Sequence, residues 1–478
     1  MIVIGGGLSG LTVAHRLHER ARTLRKPIEL VVLEAKDRIG GVIGTERFDG
    51  FALECGPDSF ITNKPWGLDL CTRLGLADQI VETDAAKRRS FVVRNGRLAP
   101  VPEGFVLMAP NRLLPILTTP ILSLRGKIRL LMDLVIPRRS DESEESLGSF
   151  VRRRFGREAL DRLVQPLVAG IYTADPYDLS LNATFPQFPA MEREHGSVIR
   201  ALRREARERG PRHLEKHASG ARYGLFVTLA DGMDMLPKAL AAALPAGTVR
   251  TGTAVRRISR NEPVSPWLVE LLDGPPLEAD AVVVATEAHA AARFLDAQDP
   301  ALAMQLRAVP YASSLIANIA YRRDQISHPL DGFGAVVPAT EGRSILALSF
   351  LSVKFPNRAP AGTVLLRVFI GGVTQPEQLE HDDASVTALV QQELGALIGA
   401  SGEPIFTRIT RHPRAMPQYN LGHVERVAAI RRNLAKYSRL YLAGIAYDGV
   451  GIPDCVHAAE ATADSLIDAL AKQTASAA

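Results

Sequence analysis

Ile2-Val3-Ile4-Gly5-Gly6-Gly7-Leu8-Ser9-Gly10-Leu11 is the stretch on which the reading of the fold turns. Three apolar residues form a short strand, and glycines at positions 5, 7 and 10 form a turn. From Leu11 to about Leu24, Leu11, Ala14, Leu17 and Ala21 share one helical face. Pro27 ends that helix, and Ile28 to Leu33 reads as a strand apolar but for Glu29, as expected for a parallel strand covered on both sides. In such a βαβ unit Gly5 permits the tight turn, Gly7 lets a pyrophosphate approach the backbone, and Gly10 lets helix and strand pack closely. The helix start offers free N–H groups to the phosphates. Glu34, at the end of the second strand, is placed to take ribose hydroxyls and would repel a 2′-phosphate. Gly5, Gly6, Gly7, Leu8, Ser9, Gly10, Glu34 and Ala35 are therefore the candidate nucleotide contacts. The alternative is a glycine-rich turn with no ligand.

Working outward, Arg38-Ile39-Gly40-Gly41 follows the second strand. An arginine with paired glycines at this place is a mark of FAD oxidoreductases rather than of NAD enzymes. Arg38, Gly40 and Gly41 join the candidate cofactor set, and Gly56, Pro57 and Asp58 are expected to pass close to the flavin. Near the other end, Gly444 closes a strand, and a loop through Val450, Gly451 and Ile452 leads to a helix from about Pro453 to Leu470. Proline suits a first helical turn. That helix start is expected to face the flavin edge where reduction places negative charge. Cys455 reads as a small buried residue.

Between these ends the texture changes. Residues 85–211 alternate short helical patterns with prolines and carry a dense arginine set, read either as solvated helix faces or as a basic surface for anionic lipid or an anionic substrate. Residues 221–290 return to α/β order. Strands are predicted at Phe226–Leu229, Thr248–Ile258, Trp267–Leu272 and Ala281–Ala285, with a helix at Met235–Leu244. Residues 311–372 read as an antiparallel sheet, with strands at Leu315–Tyr321, Phe333–Val337, Ser344–Leu351 and Thr363–Ile370. A helix follows at about Asp382–Leu397.

Composition removes whole classes. The 478 residues allow about two to three domains at ~100–200 residues each. Hydrophobic residues at 46% exclude a disordered chain. A net charge of +5 over this length is too small to argue for nucleic acid. Three cysteines build no disulfide framework and no C-x-x-C pair, which fits a reduced, cytoplasmic setting. No targeting segment is read at the start, and the three-residue first strand leaves open a beginning upstream of Met1. The longest uncharged apolar run, Leu113 to Leu124, holds two prolines and is shorter than the ~18–20 residues of a membrane span. It is read as a segment that dips into a membrane surface or packs in the core. His213 and His217 have helical metal-ligand spacing but no third ligand nearby, so no metal is expected.

GGGLSGL, EAKDRIGG, GPDSF, RRSFVVRNGRLAPVPEG, QPLVAGIYTADPYDLSL, FPAMEREHGSVIRAL, LADGMDMLP, AMPQYNLGH and AGIAYDGVGIPDCV occur in this order. Together they resemble the oxygen-dependent protoporphyrinogen and coproporphyrinogen oxidases of the flavin amine oxidase superfamily, over essentially the whole chain. The resemblance implies an α/β and α+β fold with a discontinuous Rossmann-like FAD domain (1–84, 212–290, 423–478). It adds a helical substrate and membrane-contact domain (85–211) and an antiparallel-sheet substrate domain (291–422). It implies FAD as cofactor, a porphyrinogen and dioxygen as substrates, and hydrogen peroxide as product. Arg89, with Arg88 as the alternate, matches an arginine that pairs with a substrate propionate. Asp58 matches a residue near flavin and substrate, Gly170 a backbone approach to a pyrrole, and Val255 a backbone contact to the adenine. Ala285 is carried as a cofactor contact. No catalytic acid or base is expected, and peripheral contact with an anionic membrane and a homodimer are both allowed. The competing readings are an amine oxidase, a carotenoid desaturase and a flavin or porphyrin carrier without turnover.

Overall fold

The computed structural model describes residues 1–141, 143–208, 226–263 and 265–476. His213 and His217 lie outside them. A five-stranded parallel sheet holds Val249–Arg250, Val31–Leu33, Ile2–Ile4, Val282–Val284 and Leu440–Leu442, in that order. The sheet is covered on both faces, and the alternation of each strand divides its residues between them. Val3, Val32 and Val283 pack with Val13, Leu17, Ala459, Ala463 and Leu466 of the helices Leu8–Thr23 and Ile452–Ser476. Ile2, Ile4, Leu33, Val282 and Val284 face Trp267, Ala291, Leu295 and Leu306. Arg16 ties the two covering helices together through Asp464 at 3.0 Å. The first and last segments of the chain are thus one structural unit.

The second large element is a seven-stranded sheet. Its order is Phe406–Pro417, Tyr311–Arg322, Thr363–Gly371, Ala347–Ser349, Gly334–Val336, Ser90–Arg94 and Arg97–Pro100. Pairing is antiparallel except between Gly334–Val336 and Ser90–Arg94. Leu315, Ala317, Ile319, Leu366 and Val368 face the helix Asp383–Ile398. The alternate residues, among them Ile316, Asn318, Arg367 and Phe369, turn the other way. A helical body packs beside the sheet around Phe150, Phe155, Leu160, Leu163 and Leu167.

Several elements differ from the sequence expectation. Residues 90–100, read within the helical segment, are the edge hairpin of the seven-stranded sheet. The predicted strand Thr248–Ile258 breaks at Gly252 (φ 63°): Val249–Arg250 edges the parallel sheet, while Val255–Ser259 pairs with Trp267–Leu271 elsewhere. Phe226–Leu229 lies antiparallel between Phe60–Ile61 and Ile80–Glu82. The twelve-residue strand Phe406–Pro417 was unread because FTRITRHPRAMP lacks apolar alternation. It is an edge strand, where partial exposure and an internal proline are tolerated. The apolar run Leu113–Leu124 breaks at Thr119, and helices form at Leu114–Thr118 and Leu124–Leu131. Among the described residues no helix is long and apolar enough to cross a membrane.

Candidate functional site: one cavity between two sheets

A single cavity of about 1730 Å³ runs from the C-terminal end of the parallel sheet to the seven-stranded sheet and the helical body. A drug-sized ligand occupies ~300–1,000 Å³, so the space accommodates more than one such molecule. Gly5, Gly7, Leu8, Ser9, Glu34, Ala35, Gly40 and Gly41 line one end. Val255, Ala285, Gly444, Val450, Gly451 and Ile452 complete it, with Gly56, Pro57 and Asp58 further along. Gly170 lines the wall against the helical body.

The nucleotide end is made of backbone. A Cβ on Gly10 would overlap the carbonyl oxygen of Gly5, and one on Gly5 would lie 2.7 Å from the Ala285 carbonyl oxygen. Gly10 therefore closes the turn from behind and does not reach the cavity. A Cβ on Gly7 would meet nothing nearer than the Gly41 Cα at 3.8 Å. That leaves the room in front of the helix start that a pyrophosphate requires. Glu34 Oε2 accepts the Gly6 N–H at 2.7 Å and Oε1 accepts the Lys36 N–H at 2.8 Å, which fixes the carboxylate at the end of its strand. Gly6 acts through this bond and does not line the cavity. Arg38 differs from expectation in the same way. Its guanidinium donates to the carbonyls of Gly41 at 2.8 Å and Ile43 at 3.2 Å, so it shapes the paired-glycine loop from outside.

The loop before the last helix is held by a residue the sequence reading missed. The Tyr419 hydroxyl donates to the Ile445 carbonyl at 2.7 Å and accepts the Gly449 N–H at 2.8 Å. It thereby bridges two points of the Gly444–Gly451 turn. His423 stacks on the Tyr419 ring at 3.9 Å, and burial pushes its imidazole down to about 4. Cys455 is buried and its thiol is pushed up to about 12 by burial first and Asp454 second. It stays protonated, as a packing residue does.

The far end is made of side chains. Asp58 stands between Lys354 Nζ at 3.0 Å and Arg367 Nη1 at 3.1 Å, all three buried. Behind them Arg358 lies 3.5 Å from Glu54, whose carboxyl burial pushes up to about 7 despite that neighbour. Of these five charged groups Asp58 and Arg367 line the cavity, and Lys354, Arg358 and Glu54 stand behind them in the wall. The available signal was a lysine and two arginines at 354, 358 and 367 inside or beside apolar runs. Charges are almost never fully buried unless paired.

Arg89 and Arg88 do not reach the cavity. Arg89 sits just before the Ser90–Arg94 strand, is 53% exposed and pairs with Asp331 at 2.7 Å. Gly170 does, carried on the helix Gln165–Tyr172 directly after a π-helical turn at Leu160–Val164, a distortion frequent at functional sites. Thr173 caps that helix at φ 52° and lines the same wall. Its carbonyl accepts the Val373 N–H at 2.9 Å, which holds a β-branched residue in a costly left-handed conformation. Among the described residues no cluster of potential metal ligands occurs.

A glycine turn on a parallel sheet, a second glycine loop and a C-terminal helix aimed into one cavity shared with an antiparallel sheet define a flavin-dependent oxidoreductase. The comparisons narrow this class. The sequence profile of the flavin containing amine oxidoreductase family matches residues 8–467. The coproporphyrinogen III oxidase of Bacillus subtilis (strain 168) is 34% identical over 459 residues, 95% of each chain. Protoporphyrinogen oxidase 1, chloroplastic, of Arabidopsis thaliana is 32% identical, covering 97% of this chain and 87% of its own. A solved structure from Exiguobacterium sp. 255-15 superposes with a TM-score of 0.84 at 30% identity, covering 97% of this chain and 98% of its own. Wild-type putrescine oxidase shares the fold alone, at a TM-score of 0.66, 16% identity and 98% coverage of both chains. The chain belongs to the flavin containing amine oxidoreductase family and, within it, to the coproporphyrinogen and protoporphyrinogen oxidases. Its cofactor is FAD, and the glycine-lined end fits it: a Cβ on Gly7 would enter the clear space before the helix start, 3.8 Å from the nearest protein atom.

Proposed function

We propose that the protein carries out the six-electron oxidation of a porphyrinogen to a porphyrin, with dioxygen as acceptor and hydrogen peroxide as product, in porphyrin biosynthesis. The observation that carries this reading is the continuity of the cavity. Its glycine-lined end opens without interruption onto a wide apolar space bounded by Ile171, Phe188, Met191, Leu202, Ile316 and Phe369. A tetrapyrrole macrocycle, puckered as the porphyrinogen and flat as the porphyrin, needs such walls on both faces, and so does an environment that excludes water.

FAD, when bound, supplies the hydride acceptor and returns the electrons to dioxygen. The chain's own residues do the rest. Gly5, Gly7 and the following helix start hold the pyrophosphate, and Glu34 takes the ribose. Val255 meets the adenine through its backbone, and Gly56 to Asp58 border the ring system. The Asp58, Lys354 and Arg367 group keeps a fixed positive field beside it, and Gly170 allows close approach of the macrocycle. No side chain is assigned as acid or base. In air, the purified protein with coproporphyrinogen III or protoporphyrinogen should yield three peroxides per porphyrin. Porphyrin without peroxide would contradict dioxygen as the acceptor.

The three free cysteines fit a cytoplasmic setting. Peripheral membrane contact rests on one surface. Leu114, Leu124 and Val135 are each more than 70% exposed, with Leu117 and Ile128 beside them, and Arg125 and Lys127 lie on the same short helix. Apolar insertion beside cations suits an anionic bilayer. The protein should float with phosphatidylglycerol vesicles, and Leu124→Ser with Val135→Ser should abolish flotation. Wild-type protein that stays in the soluble fraction would refute the contact.

A further inference from the structure

The three strands at one side of the seven-stranded sheet each send a polar side chain to the same short segment of the flavin unit. Asn318 Nδ2, on Tyr311–Arg322, donates to the Glu54 carbonyl at 3.2 Å. His412 Nε2, on Phe406–Pro417, lies 2.7 Å from the Cys55 carbonyl. Since a carbonyl only accepts, Nε2 carries the proton. Arg367 Nη2, on Thr363–Gly371, donates to the Gly56 carbonyl. The strands are immediate neighbours, and Asn318 lies directly opposite Arg367 in the ladder. Three successive carbonyls, 54, 55 and 56, are therefore taken in turn by three adjacent strands.

This pattern is not generic. In an extended strand successive carbonyls point to opposite sides. Here the chain bends at Cys55 and Gly56, and all three carbonyls receive donors from one sheet. From the other side the segment is pressed on the paired-glycine loop: a Cβ on Gly56 would overlap the Val42 carbonyl, and Cys55 N–H donates to Gly44 at 2.8 Å. Asn318 and Arg367 are 1% exposed, so each donates from a buried position where leaving a polar group unpaired is costly. Gly56 to Asp58, which continue this segment, line the cavity.

We infer that Asn318, His412 and Arg367 are positioning residues. By holding the Glu54–Gly56 carbonyls they fix Gly56–Asp58, and with it the flavin edge, in one register with the substrate-side sheet. The inference rests on the proposed reading for its substrate and on geometry for the rest. Oxidation by hydride transfer needs near-contact alignment, and a misplacement of about 1 Å costs about a hundredfold in rate.

The test uses FAD-loaded His412→Phe and Asn318→Leu, with His412→Gln as the variant that keeps a donor. Ile319→Val, on the opposite face of the same strand, serves as a control for stability alone. FAD release, the visible flavin spectrum and the saturating rate of anaerobic flavin reduction by coproporphyrinogen III are measured beside the thermal midpoint. We expect His412→Phe and Asn318→Leu to release FAD about tenfold faster and to alter the flavin bands. Saturating reduction should fall about 10–100-fold with KM nearly unchanged. His412→Gln should recover most of both, and Ile319→Val should lower only the midpoint. Unchanged FAD release and spectrum in both variants, or the same change in Ile319→Val, would overturn the inference. Wild-type flavin that no porphyrinogen reduces would instead refute the proposed substrate, and FAD release and the spectrum would still decide the positioning role.

Discussion

The two ends of the cavity are built from different materials. The nucleotide end consists largely of backbone: glycines at 5, 7, 40, 41, 444 and 451 and a helix start, with the Glu34 carboxylate at the end of its strand. The far end consists of side chains contributed by segments hundreds of residues apart, such as Asp58 with Lys354 and Arg367. A backbone site depends on where side chains are missing, so its variants should fail by steric filling. A side-chain site depends on mutual compensation, so its variants should fail by leaving a charge or a dipole unpaired.

The largest effect is expected at the far end. Arg367→Met leaves Asp58 with one buried cation fewer and should destabilise the fold by about 3–5 kcal/mol, read in denaturant unfolding. A loss under about 1 kcal/mol would mean that the group is hydrated and the two ends are less different than described. At the nucleotide end, two glycines separate folding from binding. Gly10→Ala collides with the Gly5 carbonyl and should cost about 1–3 kcal/mol or more. Gly7→Ala meets no protein atom closer than 3.8 Å, so it should fold normally and bind FAD at least about tenfold more weakly. Equal loss of stability in both would break the distinction.

Tyr419→Phe sits between the extremes, because a side chain there serves a backbone loop. Losing the bridge between Ile445 and Gly449 should weaken FAD binding by about 1–3 kcal/mol, measured by titration of apoprotein. Arg89→Ala should change stability by no more than about 1 kcal/mol, since its partner Asp331 is also exposed, and should leave KM for a porphyrinogen within about twofold. A large rise in KM would restore the propionate role expected from the sequence. A pH dependence is expected at His423. Its folded value, about 4, lies below the ordinary ~6.5. The unfolded chain therefore binds more protons in between, and stability falls as pH drops from about 6.5 toward 4. His423→Phe keeps the stack and should flatten that part of the acid-unfolding curve.

The same contrast explains what was legible in the sequence. The backbone end announces itself locally, because glycine spacing and the strand–turn–helix order fall within a few dozen residues. Gly5 to Gly10, Glu34 and the 444–452 loop were readable for that reason. Within that end Gly6, Gly10 and Arg38 lie behind the cavity wall and not on it. The far end has no local signature. Lys354 and Arg367 are meaningful only once the short helix Leu351–Lys354, the strand Thr363–Gly371 and the Asp58 loop are brought together, and Arg89 was assigned by motif, whereas it pairs with Asp331 just before its strand. The strand Phe406–Pro417 was missed because an edge strand need not alternate, and His412 and Tyr419 were missed along with it.

The central claim is that one continuous cavity presents a porphyrinogen to the flavin, and anaerobic mixing tests it most directly. Coproporphyrinogen III or protoporphyrinogen is added to the yellow protein and the flavin absorbance is followed. The account predicts rapid bleaching by at least one of them, with air restoring the colour as porphyrin fluorescence appears. Bleaching by an amine such as putrescine, with both porphyrinogens inert, would contradict it.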